Sequence, residues 1–91
     1  MNPPADARPR LSRGTRLSFD RVRHAHVLLY PEGVLFPNQT AIDVLRRCDG
    51  SNTVAAIADD LRHDYRAVEL TDIAELLTQL SARGLLELDS N

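Results

Sequence analysis

The sequence has few of the residues that hold small domains together by covalent bonds or aromatic packing. Its 91 residues include one cysteine, no tryptophan and only two tyrosines and two phenylalanines. A single cysteine excludes an internal disulfide. Because aromatic residues are so few, the core must be built from Leu, Ile, Val and Ala side chains. No apolar run approaches the roughly 18 residues of a membrane-spanning helix. We therefore expect a soluble protein with no membrane partner.

Residues 1–14 show no hydrophobic period, and Pro3, Pro4, Pro9 and Gly14 interrupt their polar sequence. This composition predicts a flexible N-terminal lead with no fold of its own. The lead also lacks the apolar central region of a secretory signal, which makes the cytoplasm the expected location. Residues 15–88 are then expected to form a single domain.

The net charge of -2 conceals an uneven distribution of charge along the chain. Six of the eleven basic residues lie within the first 23 positions, whereas residues 24–91 carry five arginines and eleven carboxylates. Nucleic-acid-binding domains normally carry positive charge on the folded surface that reads the nucleic acid. The acidic body of this chain therefore argues against a nucleic-acid partner.

Three short apolar segments predict strands. The alternation over residues 15–20 places Leu17 and Phe19 on one face of a half-buried strand. Residues 27–30 and 34–36 flank Pro31-Glu32-Gly33, which has the composition of a turn between paired strands, with Gly33 free to take a positive φ. These segments together predict a three-stranded antiparallel sheet.

Three helices are predicted after the sheet, because apolar residues recur there at helical spacing over residues 39–48, 54–61 and about 69–83. Asn38 and Thr53 are suitable N-caps for the first two helices, while Gly50 and Gly84 can supply the left-handed residue that ends a helix. Residues 63–68 form a polar connection, and residues 85–88 form a short extended tail. This order of elements predicts an α+β domain of winged-helix-like type.

The titratable side chains form no recognisable catalytic constellation. His24 and His26 would share one face of an extended segment, but no third ligand lies nearby, so a metal site is not predicted. Cys48 falls on the apolar stripe of the first helix, which indicates a packed thiol rather than a nucleophile. The sequence therefore indicates a binding module and not an enzyme.

Two surfaces are candidates for binding. In a winged-helix regulator the third helix would enter the major groove, but Glu69, Asp72 and Glu75 in its leading turns would repel phosphate. A nucleic-acid-binding regulator is thus the alternative function. If residues 34–36 form the outermost strand, their unpaired backbone groups could accept an extended peptide as a fourth strand, unless that edge is covered or blocked by charge. An exposed edge on so small a core also leaves a homodimer open.

An ordered set of short segments spans about residues 10–88. They are Leu28-Leu29-Tyr30-Pro31-Glu32-Gly33, then Cys48-Asp49-Gly50, then Thr53-Val54 with Ile57-Ala58 and Leu61, then Asp72-Ile73 with Leu76-Leu77 and Leu80, and finally Arg83-Gly84-Leu85-Leu86-Glu87. In order and spacing this set resembles the pyrroloquinoline quinone (PQQ) biosynthesis protein D family. The resemblance implies a small peptide chaperone, related to the recognition elements that bind leader peptides of ribosomally made, modified peptides. Such a chaperone has no cofactor and performs no chemistry.

The resemblance further implies the partners and the binding site. The partners would be the precursor peptide of PQQ and a radical S-adenosylmethionine enzyme that cross-links a Glu and a Tyr of that peptide. The peptide would pair with the third strand and lie against the third helix, in a groove formed by Val34, Leu35, Phe36, Asp72, Glu75, Leu76, Gln79 and Arg83. Leu76 falls off the inner stripe of the third helix, and ordinary packing against the sheet is the alternative role for it.

Overall fold

A computed structural model describes residues 5–63 and 70–89 of the chain. The elements are strands β1 (Arg8–Leu11), β2 (Arg16–Asp20), β3 (Ala25–Tyr30) and β4 (Gly33–Leu35), helices α1 (Gln39–Arg46), α2 (Val54–Leu61) and α3 (Leu70–Ala82), and strand β5 (Leu86–Asp89). The predicted α+β class is confirmed, with a three-stranded antiparallel sheet followed by three helices. The finer description as winged-helix-like stays a prediction.

The three-stranded sheet has the order β2-β3-β4, with both pairs antiparallel. Leu28 in the central strand lies opposite Leu17 of β2 and Leu35 of β4, so these three leucines cross one face of the sheet. Leu28 is fully buried, while Leu17 and Leu35 are half-buried and pack against the core. Because β4 pairs only with β3 among the described strands, it forms an edge of the sheet.

The turn between β3 and β4 differs in one respect from the prediction. Gly33 does not adopt a positive φ; the glycines that do so are Gly14, Gly50 and Gly84. Pro31 occupies the second position of the turn, where its fixed φ suits a type I turn that needs no left-handed residue. The prediction for Gly33 was therefore wrong, although the hairpin itself is confirmed.

The N-terminal segment is also different from its prediction, because Arg8–Leu11 forms strand β1 and pairs antiparallel with β5. Backbone hydrogen bonds also tie this segment to the α1–α2 connection and to the start of α2. The N–H of Gly50 in the connection donates to the carbonyl of Pro9 at 3.0 Å, and the N–H of Val54 in α2 donates to that of Ala7 at 2.9 Å. Ala7 and Pro9 are buried. The interpretation of residues 1–14 as a lead without a fold, separate from a domain at 15–88, is therefore wrong for residues 8–11.

The helix ends follow the capping residues of the sequence. The Asn38 side chain accepts a hydrogen bond from the N–H of Ala41 at 2.8 Å, and the Thr53 side chain accepts one from Ala56 at 3.0 Å. Gly50 and Gly84 take φ values of 86° and 76° after α1 and α3. The predicted polar connection around Tyr65 and the helix-three residue Glu69 lie outside the described residues. None of the helices in the described ranges is long and apolar enough to cross a bilayer.

The core lies between the helices and the two sheets. Its fully buried side chains are mainly the leucines, isoleucines and valines that the helical spacing selected, among them Ile57, Leu61, Ile73 and Leu77. Phe19 is an exception, because 49% of its surface is exposed, although alternation placed it with Leu17. Its ring instead packs edge-on against His24 and His26, at centroid distances of 6.5 and 5.1 Å.

Candidate functional site

A groove of about 300 Å³ lies between the end of β4 and the C-terminal half of α3. Five of the eight residues predicted for the binding site line it: Leu35, Phe36, Leu76, Gln79 and Arg83. The last three follow one another at intervals of three and four residues, so they share one face of α3. The fold thus brings the end of β4 and one face of α3 together in a single groove.

The other three predicted residues lie outside the lining of this groove. Val34 is 40% exposed on β4, where its side chain faces away from that of Leu35. Asp72 shares the helical face of Leu76 but stands one turn earlier, beyond the end of the groove. Glu75, like Asp72, is exposed on α3. Peptide contact by all eight predicted residues stays a prediction.

The floor of the groove consists of core residues that sequence reasoning did not assign to the site. Leu28, Ala41, Leu45 and Leu80 are all buried and reach the groove from three different elements. The helical spacing of Ala41, Leu45 and Leu80 correctly predicted their burial, but such a spacing cannot show where the core opens to solvent. Leu76 lines the groove and also packs against the core cluster.

The backbone of β4 contributes an open edge beside the groove. In an antiparallel ladder, hydrogen-bonded and non-bonded pairs alternate, and a two-residue turn is closed by a bonded pair. Here Tyr30 and Gly33 close the turn, so Leu29 and Val34 form the non-bonded pair. The N–H and carbonyl of Val34 therefore face away from β3 and are the groups on this edge that an added strand can bond.

Phe36 stands at the mouth of the groove with 57% of its surface exposed, and a basic side chain covers its ring. The guanidinium carbon of Arg23 lies 4.8 Å from the centroid of the ring. Asp20 holds that guanidinium through a contact of 3.1 Å between Nη1 and Oδ2. Backbone hydrogen bonds from Arg23 and Val22 hold the pKa of Asp20 below its usual value. Nothing in the local sequence of Arg23 indicates this contact.

His26 and His63 lie within hydrogen-bonding distance of neighbouring groups, and Cys48 is buried. His26 Nε2 lies 3.2 Å from Arg46 Nη2, and His63 Nδ1 lies 3.2 Å from the carbonyl of Asp59. Burial raises the pKa of the Cys48 thiol to about 12, so it is protonated at neutral pH. Within residues 5–63 and 70–89, no three side chains of the ligating types are placed to share a metal ion.

A comparison with known protein families decides the family. The model of coenzyme PQQ synthesis protein D (PqqD) matches residues 25–86, which is more than half of the chain. The chain belongs to the PqqD family. The matched span includes every residue of the groove, from Leu28 on β3 to Arg83 at the end of α3.

Relatives within the PqqD family are similar over most of this chain. The PqqA binding protein of Rhodopseudomonas palustris (strain BisB5) is 41% identical over 83 residues, which cover 88% of this chain and 81% of the relative. A bifunctional coenzyme PQQ synthesis protein C/D from Methylorubrum extorquens is 44% identical over 82 residues, which cover 87% of this chain and 22% of that longer protein. In the latter, the PqqD-like part is fused to a second unit.

Two solved PqqD structures share the fold. The solution structure of the PqqD truncation of Methylobacterium extorquens PqqCD matches with a TM-score of 0.74 and 43% identity, covering 91% of this chain and 90% of that one. That protein is described as a functional, stand-alone recognition element for ribosomally synthesized and post-translationally modified peptides (RiPPs). The crystal structure of PqqD from Xanthomonas campestris matches with a TM-score of 0.56 and 40% identity, covering 86% of this chain and 90% of that one.

Proposed function

We propose that this chain binds the PqqA precursor peptide and acts as a peptide chaperone in PQQ biosynthesis. The observation that carries the proposal is the convergence of Leu35, Phe36, Leu76, Gln79 and Arg83 on one groove beside an open strand edge. Relatives that are 41–44% identical include PqqA binding proteins, and a related domain is a RiPP recognition element. The nucleic-acid alternative is not favoured, because Asp72 and Glu75 are exposed on α3.

The proposed binding mode is addition of a peptide strand to β4. The outward N–H and carbonyl of Val34 would bond the peptide backbone, while the apolar floor of the groove would receive alternate side chains of the extended peptide. Since β4 has only three residues, the backbone can contribute few hydrogen bonds. Most of the affinity and selectivity would therefore come from the side chains of the groove.

Chaperoning requires that the bound peptide reach a second protein. We propose the radical S-adenosylmethionine enzyme of the pathway as that partner, with this chain acting in the cytoplasm and performing no chemistry itself. Holding the peptide beside the enzyme would replace a bimolecular encounter by a nearly intramolecular one. The fusion in the Methylorubrum extorquens C/D protein is an example of a PqqD-like domain joined covalently to another unit of the same pathway.

A titration of the isotope-labelled protein with synthetic PqqA from Rhodopseudomonas palustris, followed by backbone amide shifts in NMR, tests this proposal. We expect saturable shifts centred on residues 34–36 and 76–83, and none with a scrambled peptide. Leu76→Ala should weaken binding at least about fivefold, because a half-buried leucine contact is worth roughly 1 kcal/mol or more. Leu88→Ala is the matched control, since Leu88 also packs partly buried against the core but lies on β5.

Absence of saturable shifts at high excess of PqqA, with the protein folded, would reject the proposed function. Equal weakening by Leu76→Ala and Leu88→Ala would instead reject the groove as the place of binding, because it would trace the effect to general loss of stability.

A further inference from the structure

The charge of the groove has a single sign. Among the lining residues within 5–63 and 70–89, none is acidic and Arg83 alone is ionisable. Asp72 and Glu75, which were predicted for the binding site, lie outside the lining. Two amide side chains complete the polar part, and Oδ1 of Asn38 already accepts the N-cap hydrogen bond from the N–H of Ala41. Gln79 and Arg83 are therefore the lining side chains in which every polar group is available to a ligand.

Arg83 forms no ion pair with a carboxylate within residues 5–63 and 70–89. The arginines that do form ion pairs there are Arg10, Arg23, Arg46, Arg47 and Arg62. The position of Arg83 just after α3 gives its charge a favourable interaction with the helix dipole, which accounts for its being basic. That interaction does not occupy the guanidinium N–H groups, which remain able to donate to an anion in the groove.

Arg23 places a second guanidinium at the mouth of the groove. It lies over Phe36, a lining residue, and forms an ion pair with Asp20. A guanidinium has five N–H groups in a rigid fork, and one nitrogen, Nη1, makes the contact with Asp20. The remaining N–H groups are held in place before a ligand arrives, so their use costs little side-chain entropy.

We propose that the groove recognises a carboxylate of the bound peptide, with Arg83 as the principal donor and Arg23, stacked on Phe36, as a second cation at the mouth. This inference rests on the proposed function and adds the chemistry of the recognised segment: apolar side chains against the floor and a carboxylate against the arginines. A guanidinium and a carboxylate match as a bidentate pair. The carboxylate is that of an Asp or Glu side chain or that of the peptide C-terminus.

Calorimetric titration with synthetic Rhodopseudomonas palustris PqqA in three forms tests the proposal. The forms are the native peptide, an Asn/Gln peptide in which every Asp and Glu is replaced by Asn and Gln, and the native peptide with an amidated C-terminus. We expect one of the altered forms to bind about threefold to tenfold more weakly than the native peptide, between the effect of an exposed ion pair and that of a charged hydrogen bond. The difference should shrink at 1 M salt.

The protein variants assign that effect to the arginines. Arg83→Gln should weaken binding of the native peptide by a similar factor. It should leave unchanged the affinity for the altered peptide that lacks the recognised carboxylate. Arg23→Gln should have a smaller effect in the same direction. Arg62→Gln is the control, because Arg62 is an exposed arginine after α2 that pairs with Asp59, and it should change neither affinity.

Each outcome has a definite meaning. Weaker binding of the Asn/Gln peptide supports recognition of a side-chain carboxylate. Weaker binding of the amidated peptide supports recognition of the C-terminal carboxylate. If all three forms bind equally well, carboxylate recognition is overturned while the proposed function stands. If Arg83→Gln weakens every form equally, its role is structural and the inference also fails. Failure of the native peptide to bind wild-type protein would instead reject the proposed function.

Discussion

At the scale of single residues, burial decides what Cys48 can do. Its sulfur lies 3.2 Å from the carbonyl oxygen of Val44 and its side chain belongs to the core cluster. Desolvation raises the pKa of the thiol to about 12, and the neighbouring charge of Asp49 acts in the same direction. Since the thiolate is the reactive form, this residue contributes packing and no nucleophilic chemistry at neutral pH.

We predict that Cys48 resists iodoacetamide at pH 8 in the folded protein and reacts at the rate of a free thiol in 8 M urea. Because the folded pKa lies above the unfolded value, the associated stability is fully present below about pH 9 and is lost as pH rises towards 12. The unfolding free energy should fall in that window by at most about 1.4 kcal/mol per pH unit from this group. Cys48→Ala should show a shallower decline, and rapid alkylation of the native protein would contradict the assignment.

At the scale of elements, the backbone groups of β4 are of two kinds: some bond to β3 inside the sheet and others face outward at its edge. The register pairs Leu28 with Leu35 and Leu29 with Val34. Adjacent pairs in an antiparallel ladder alternate between bonded and non-bonded, so the N–H of Leu35 is used inside the sheet and that of Val34 is presented at its edge. The two positions are adjacent in sequence, yet they should respond oppositely to the loss of an amide hydrogen.

We predict that Val34→Pro abolishes PqqA binding while the protein stays folded, because proline is tolerated at an edge whose N–H faces outward. Leu35→Pro should instead destabilise the hairpin, since it removes a bond of the β3–β4 ladder. Circular dichroism with urea titration measures the fold, and calorimetry with synthetic PqqA measures binding. Unchanged PqqA affinity in a folded Val34→Pro variant would contradict strand addition to this edge.

At the scale of the whole molecule, the two ends of the chain close the domain. Strand β1 pairs with β5 from Arg8–Asp89 to Leu11–Leu86, across most of the sequence. Arg10 also forms exposed ion pairs with Glu87 at 2.9 Å and with Asp89 at 3.2 Å. Exposed pairs of this kind contribute little, so the stabilisation should come from the paired backbone and from the buried Ala7, Pro9 and Leu86.

We predict that deletion of residues 1–11 lowers the free energy of unfolding by about 3 kcal/mol, because apolar surface beneath β1 becomes exposed and β5 loses its partner. Arg10→Gln, which removes the ion pairs and keeps the strand, should cost less than about 1 kcal/mol. Urea denaturation of the three proteins makes the comparison. Equal stability of the truncated and full-length chains would show that β1 adds nothing to the fold.

The elements that could be predicted are those whose signals are local. Helical spacing of apolar residues, the N-caps Asn38 and Thr53 and the left-handed Gly50 and Gly84 all depend on neighbours within a few residues, and the structure agrees with them. Strand β1 could not be predicted, because its partner β5 lies at the other end of the chain. Its buried position is a proline, which has no N–H for a strand ladder and therefore argues against a strand. The positive φ expected at Gly33 is absent because Gly33 pairs with Tyr30 as the first residue of β4, which leaves Pro31 and Glu32 as the central residues of the turn.

The groove likewise has some features that the sequence predicts and others that only the tertiary structure decides. The sequence alone determined which residues are apolar, which helices and strands they form, and, through family resemblance, that Leu35, Phe36, Leu76, Gln79 and Arg83 belong together. Only the tertiary structure decided that Asp72 and Glu75 lie outside the lining, that buried Leu28 and Leu45 form the floor, and that Arg23 covers Phe36. These facts depend on distances between elements far apart in the chain, and such distances are fixed by packing and not by local sequence.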